Sequence, residues 1–176
     1  MSPADLQRLS AAVRDVPDFP KPGILFKDIT PILGDGALFR LAVQAFVEAA
    51  RASQPTRIAG IDARGFILGA AVAYELGLGF VPIRKKGKLP WTCESVAYAL
   101  EYGEAVVEVH TDAIQRGERV VIVDDLLATG GTAAAAVQLI RQLGGEVAGI
   151  LFLIELSFLQ GRARLGNAPA HALITY

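Results

Sequence analysis

Val120 to Thr132 reads VVIVDDLLATGGT, and the order of residue types in it decides the fold. Val120 to Val123 is a continuous apolar run. Such a run predicts a strand buried on both faces, as in a parallel sheet. It stops at Asp124 and Asp125, and Leu126 to Ala128 lead into Thr129, Gly130, Gly131 and Thr132. The Ala-rich segment that follows, Ala133 to Leu143, has strong helix propensity. The chain therefore passes from buried strand to acidic pair, to a hydroxyl and glycine loop, to helix.

In an open α/β sheet, ligands bind where strands end and helices begin. Glycines let the backbone approach a ligand closely, and the free N–H groups of a helix start cradle an anion. Thr129 and Thr132 add hydroxyl donors, so Ala128 to Thr132 suits a phosphate. Asp124 and Asp125 suit hydroxyl groups carried by the same ligand, which points to a sugar phosphate rather than bare phosphate. No Lys follows the second glycine, so this is not a Walker loop, and it does not match G-x-G-x-x-G.

Working outward, Gly144–Gly145 ends the helix and Val147 to Ile154 is a fully apolar strand closed by Glu155. Leu156 to Leu165 reads as a short helix and Ala172 to Tyr176 as a last strand. Upstream, Arg57 to Ile61 is a short strand that ends in Asp62, Ala63, Arg64 and Gly65, before a helix from Phe66 to Leu76. An arginine in such a turn suits a diphosphate, because its planar fork donates paired hydrogen bonds. Gly79 to Arg84 is the next strand and runs into Lys85, Lys86 and Lys88, a cationic cluster able to hold a polyanion. Four strands of parallel type, Arg57–Ile61, Gly79–Arg84, Val120–Asp124 and Val147–Ile154, alternate with helices. That pattern predicts a doubly wound, mostly parallel α/β sheet within a single domain, residues 1–176.

At the N-terminus, Ser2 caps a helix with Pro3 in its first position. Residues 16–33 carry Pro17, Pro20, Pro22, Gly23 and Pro31, a density that forbids a long helix and predicts an irregular, ordered segment. Its large apolar groups must cover something, either as a packed surface loop or as a hood over a flat ligand with Phe26 as a stacking face. Gly36 to Ser53 is an amphipathic helix. Residues 89–102 form an edge hairpin or a mobile flap, and Ala105 to Val109 is a strand pairing back along it. Thr111 to Gln115 reads as a helical turn.

An apolar fraction of 52% excludes disorder, and a net charge of −1 gives no bulk attraction to nucleic acid. The single Cys93 rules out an internal disulfide framework and fits a reducing compartment. The start, MSPADLQRL, is polar, so no signal peptide is expected, and no apolar run is long enough to span a membrane. A cytoplasmic protein is the expectation. His110 and His171 stand alone and read as structural or surface residues.

Val121 to Thr132 resembles the phosphoribosyl-diphosphate (PRPP) signature of the type I phosphoribosyltransferases, and VVIVDDLLATGGT is similar, more narrowly, to the adenine-using branch of that family. The resemblance runs from Asp18 to about Leu165. DFP, PG, Phe26 and DIT stand where the family has its base hood. The resemblance implies that Leu25, Phe26 and Lys27 contact the base, with Leu126 and Tyr102 beside them. Lys27 replaces an Arg often found there. Asp62, Ala63 and Arg64 resemble the diphosphate loop, which implies a strained peptide near Asp62–Ala63, a cis bond being one such form. RKKGKLP is similar to the family's basic stretch and implies diphosphate contacts from Arg84, Lys85 and Lys88. Glu101, Tyr102 and Gly103 match the family's LEYG, the end of its catalytic loop. One departure is Ala97, where family members often carry Ser or Thr.

The resemblance implies purine salvage: adenine plus PRPP gives AMP and diphosphate, in a homodimer, with Mg²⁺ carried on PRPP and no metal bound directly by side chains. Adenine and PRPP are then the partners, with neither nucleic acid nor membrane among them. It implies a catalytic set of Glu101, Arg64, Asp124 and Asp125. Three other readings stay open from the residues: the same chemistry on another purine base, a PRPP-sensing regulator without catalysis, and an unrelated nucleotide-binding module using the glycine loop alone.

Overall fold

The structure, a computed structural model, describes residues 1–99 and 104–176. The chain divides into two units, Met1–Ala45 and Phe46–Tyr176. The first opens with α1 (Pro3–Ala12), started by a capping box in which the Asp5 N–H donates to Ser2 Oγ at 3.2 Å. This satisfies donors that have no partner inside the helix. Two short strands follow, β1 (Arg14–Pro17) and β2 (Leu25–Asp28), paired antiparallel with Val16 opposite Phe26. The expected irregular segment is thus in part a hairpin. Its prolines are compatible with pairing because Pro17 ends β1 and Pro20 and Pro22 lie in the connection, where no ladder N–H is needed. Next come α2 (Thr30–Gly34) and α3 (Gly36–Ala52), whose residues from Phe46 on belong to the second unit; α3 is started by the Asp35 carboxylate, which accepts from the Ala37 and Leu38 N–H groups at 2.8 and 3.0 Å.

The second unit is built on one sheet. Its elements in chain order are β3 (Arg57–Ile61), α4 (Arg64–Leu76), β4 (Gly79–Lys85), β5 (Cys93–Ala99), β6 (Glu104–His110), β7 (Arg119–Leu127), α5 (Gly131–Gln142), β8 (Glu146–Glu155) and β9 (Ala170–Thr175). The strand order is β5-β6-β4-β3-β7-β8-β9. From β4 to β9 every neighbouring pair is parallel, with Ala59 opposite Ile122 and Ile122 opposite Ile150. β5 and β6 add an antiparallel edge, Cys93 opposite His110 and Ala99 opposite Glu104. This is the doubly wound, mostly parallel sheet expected.

Alternation along the strands sets the layers. Val120 and Ile122 of β7 join Ala59 and Ile61 of β3 in a buried cluster with Ala135, Ala136, Leu139 and Ile140 of α5. Val123 points the other way, against Gly69 of α4. α5 therefore lies on one face of the central strands and α4 on the other. Val120 to Val123 are fully buried, as their unbroken apolar run requires.

Four local expectations need correction. β7 does not stop at the acidic pair but runs on to Leu127, because β8 continues to pair with it, Leu126 opposite Ile154. The segment after β8 is two 3₁₀ turns, Ser157–Leu159 and Gly161–Leu165, rather than one helix, because Gln160 between them has φ +53°. Thr111 to Gln115 forms turns and bends without a helix. The last strand starts two residues early, at Ala170, where it pairs with Ile150.

Candidate active site

β7 delivers the chain to a small cavity of about 80 Å³ at its C-terminal end, lined by Asp124, Leu126 and the loop from Ala128 to Thr132. Gly130, at φ +82°, caps α5, and no side chain caps that helix. The N–H groups of Gly131, Thr132 and Ala133 then have no acceptor inside the helix, and the helix dipole adds partial positive charge there. This is a ready anion cradle. The Thr132 hydroxyl donates to the Tyr98 hydroxyl at 3.1 Å, tying β5 to the cradle.

What shapes the loop lies thirty-one residues downstream of Gly130, at Gly161. A Cβ on Gly130 would come within 2.3 Å of the Gly161 carbonyl oxygen, and one on Gly161 within 2.2 Å of the Ala128 carbonyl oxygen. Two backbones therefore pack directly on each other. Gly161 is held by its neighbour: Arg162 Nε donates to Glu155 Oε1 at 2.7 Å, its Nη2 to Oε2 at 2.6 Å, and its Nη1 to the Ala170 carbonyl at 2.7 Å. The Glu155 carboxylate raises the Arg162 pKa, and such paired forks are among the stronger polar contacts.

The two aspartates have different surroundings. Asp124 lines the cavity. Asp125 is buried and accepts from Arg64 Nε at 2.5 Å. Asp125 and Arg64, read separately in the sequence, are here each other's partners. Desolvation of the half-buried Asp124 and the adjacent Asp125 carboxylate push the Asp124 carboxyl well above the usual carboxylate range, although the Asp125 N–H donates to Asp124 Oδ1 at 2.9 Å.

An acid raised in the folded state loses stability as pH climbs from its unfolded-state value, 3.8, through its folded value, and the loss is complete above both. Asp124→Asn should therefore raise the ligand-free melting temperature at pH 7, and change it little at pH 3. Calorimetry at the two pH values checks this; a variant melting no higher than the parent at pH 7 would show that ionised Asp124 is not penalised.

On the other side of β3, the Asp62–Ala63 peptide is cis. Arg84 Nε donates to Asp62 Oδ2 at 3.3 Å, and Arg84 Nη1 to the Lys88 carbonyl at 3.1 Å. Arg84 also lies 5.9 Å from the Phe66 ring centroid. Lys85, Lys86 and Lys88 are exposed. The cavity thus collects Asp124, Leu126 and Ala128 to Thr132, while Asp62, Arg84 and Lys88 form a second connected group. Leu25 to Lys27 belong to the first unit: Phe26 meets Phe19 edge to face at 5.1 Å, and Lys27 Nζ pairs with Asp15 at 2.6 Å. Glu101, Tyr102 and Gly103 lie outside the described residues. Among the described residues, no group of three or more His, Cys, Asp or Glu side chains could hold a metal ion, and no helix is long and apolar enough to cross a membrane.

Sequence reading missed Gly161, the Glu155–Arg162 clamp and Tyr98. The available signal was thin: a glycine set between Gln160 and an arginine, after an apolar strand ending in a lone acid.

A family model for the phosphoribosyl transferase domain matches residues 36–165. The chain is 54% identical to the adenine phosphoribosyltransferase of Nitrosococcus oceani over 171 residues, covering 97% of this chain and 100% of that one. The crystal structure of adenine phosphoribosyltransferase from Rhodothermus marinus has 51% identity and a TM-score of 0.94, covering 99% of this chain and 100% of that one. The Saccharomyces cerevisiae enzyme, solved in a complex that includes adenine, has 42% identity and a TM-score of 0.92 over 97% of this chain and 98% of that one.

Proposed function

The chain belongs to the adenine phosphoribosyltransferases of the phosphoribosyl transferase family, and on that premise we propose how its residues divide the work. The enzyme transfers the 5-phosphoribosyl group of PRPP to N9 of adenine, giving AMP and diphosphate, a purine salvage reaction. The bond from N9 to C1′ forms, the bond from C1′ to the diphosphate oxygen breaks, and the imidazole-ring proton of adenine must leave.

The observation that carries the assignment is the single cavity joining Asp124 to the anion cradle. A 5′-phosphate on Ala128 to Thr132 puts the ribose hydroxyls of the same ligand toward Asp124. As the leaving group departs, the ribosyl ring gains positive charge. An ionised Asp124 in a partly dry site favours that charge electrostatically. Asp125 acts through Arg64, holding its guanidinium in place. Arg64, Arg84, Lys85 and Lys88, with the backbone at Asp62 and Ala63, take the diphosphate. Their donors suit phosphate oxygens, so Mg²⁺ would ride on the oxygens of PRPP and supply further neutralisation of the leaving group. Leu25, Phe26, Lys27, Leu126 and Tyr102 receive the base, and Glu101 accepts a hydrogen bond from its imidazole side.

A backbone carbonyl in the Leu25–Lys27 segment accepting from the exocyclic amine would reject a base with a carbonyl there. Each acceptor left unpaired in a buried site costs about 1–3 kcal/mol, and several mismatches multiply. Conversion of radiolabelled adenine to AMP with PRPP and Mg²⁺ is expected, with hypoxanthine at least about a hundredfold poorer in kcat/KM. Comparable turnover of the two bases would overturn the adenine assignment, and none with either base would favour the silent regulator.

The proposal includes a homodimer. Ile67 and Tyr74, 46% and 85% exposed, share one face of α4 with exposed Ala70 and offer an apolar stripe for a second copy. Sedimentation is expected to give about twice the 18.6 kDa chain mass, and Tyr74→Glu to shift it toward the monomer; a parent that sediments as a monomer removes this part. The cytoplasmic setting, supported by the lone free Cys93, is open to cell fractionation, and recovery outside the cytoplasm would reject it.

A further inference from the structure

We infer that Glu108, on β6 and outside every phosphate-contacting segment, is the positioning residue for the diphosphate-binding lysine turn. The inference rests on the assignment of that turn to the diphosphate. Residues 85–88 form a β-turn closed by the Lys88 N–H donating to the Lys85 carbonyl at 3.3 Å, with Gly87 at φ +79° in its third position. A Cβ on Gly87 would touch nothing, and within the turn the Lys86 N–H donates to the Val106 carbonyl of β6 at 3.0 Å. Two of its backbone groups, and the N–H of Leu89 just after it, are held by side chains. Glu108 Oε1 accepts from the Gly87 N–H at 2.9 Å and from the Leu89 N–H at 3.3 Å. Arg84 takes the Lys88 carbonyl between them.

The peptide groups flanking Lys88 are therefore pinned on both sides, while the lysine side chain itself is exposed. Glu108 is 6% exposed, and β4 places Arg84 directly opposite it in the ladder. A buried carboxylate beneath a cationic turn has a cost for an anion site, since its charge opposes the ligand. What it provides is geometry: the unliganded turn, crowded with lysines that repel one another, is kept in one shape. Preorganised donors bind more tightly because less is lost on binding. Both accepted bonds go to a single oxygen, so reach and charge are separable by substitution. Glu108→Gln keeps an oxygen at the same reach and removes the charge. Glu108→Asp keeps the charge and withdraws the oxygen by one methylene.

The test measures KM for PRPP, kcat, and affinities for diphosphate and AMP in the full-length chain, with Lys88→Ala alongside. Glu108→Asp is expected to raise KM for PRPP and weaken diphosphate by about tenfold, with kcat and AMP affinity near the parent's. Glu108→Gln is expected to stay within about threefold of the parent throughout. A merely structural glutamate would move AMP and diphosphate together in both variants, and that result overturns the inference. So does a Glu108→Gln defect larger than that of Glu108→Asp, which would make charge the active property. If Lys88→Ala weakens diphosphate while Glu108→Asp resembles the parent, the inference alone falls. If Lys88→Ala also leaves diphosphate unchanged, the turn's assignment falls and the inference with it.

Discussion

Glu101→Leu is expected to slow single-turnover conversion of adenine to AMP by about a hundredfold or more, with PRPP affinity within about twofold of the parent's. The imidazole ring of adenine must lose or share its proton for N9 to attack. Among the described residues, the lining of the cavity at the cradle includes no histidine. Glu101 is the carboxylate of the LEYG stretch, three residues after Tyr98, which the Thr132 hydroxyl engages. An ordinary glutamate has a pKa near 4.3, which is low for a general base at neutral pH. Its proposed task is therefore to accept a hydrogen bond and orient the base, an effect carried by geometry. Leu removes the acceptor and leaves the phosphate-binding groups intact. Single-turnover rates equal to the parent's would end the idea. Glu101→Gln still accepts a hydrogen bond, so a severe loss there would instead favour proton abstraction.

Gly161→Ala is the second large effect. One added methyl would lie 2.2 Å from the Ala128 carbonyl oxygen and 3.1 Å from the Gly130 nitrogen, both backbone atoms. Neither side yields easily, because Gly161 is followed by the clamped Arg162 and Ala128 follows a strand that pairs through Leu127. The cradle must shift, and a displacement of about 1 Å at a positioning site costs on the order of a hundredfold. AMP and PRPP, which share the 5′-phosphate, are expected to weaken together by that factor. Inorganic diphosphate, assigned to the other group of residues, should change by less than about threefold. Calorimetric titration with all three ligands checks this. Unchanged AMP affinity would mean that the loop tolerates the methyl, and an equal loss for diphosphate would mean global damage.

Glu101→Leu was conceivable from the sequence, whereas Gly161→Ala was not. β3, β4, β7 and β8 were legible because the middle of a strand inside a parallel sheet is an unbroken apolar run. The hairpin of β1 and β2 was hidden by its prolines, whose compatibility with pairing depends on which bonds the strands leave unmade. The last residues of β7 were hidden because their pairing is supplied by β8 rather than by their own pattern. The anion cradle was legible because its glycines, threonines and helix are contiguous. The pairing of Arg64 with Asp125 spans sixty-one positions, and charge alone does not say which acid meets which base. Glu108 read as one more residue of an edge strand, since its value lies in the neighbouring turn it meets across the ladder.

The contact between Gly130 and Gly161 bears on transplantation. Val120 to Thr132 looks like a portable cassette, a strand and loop that could be spliced into any α/β host to confer sugar-phosphate binding. Grafted alone it would arrive without its mould, because the backbone that presses Ala128 and Gly130 into shape comes from beyond the next strand. A recipient would need the glycine after that strand and the acid–arginine lock that seats it, so the smallest heritable unit of this site is the strand pair with both of its exits.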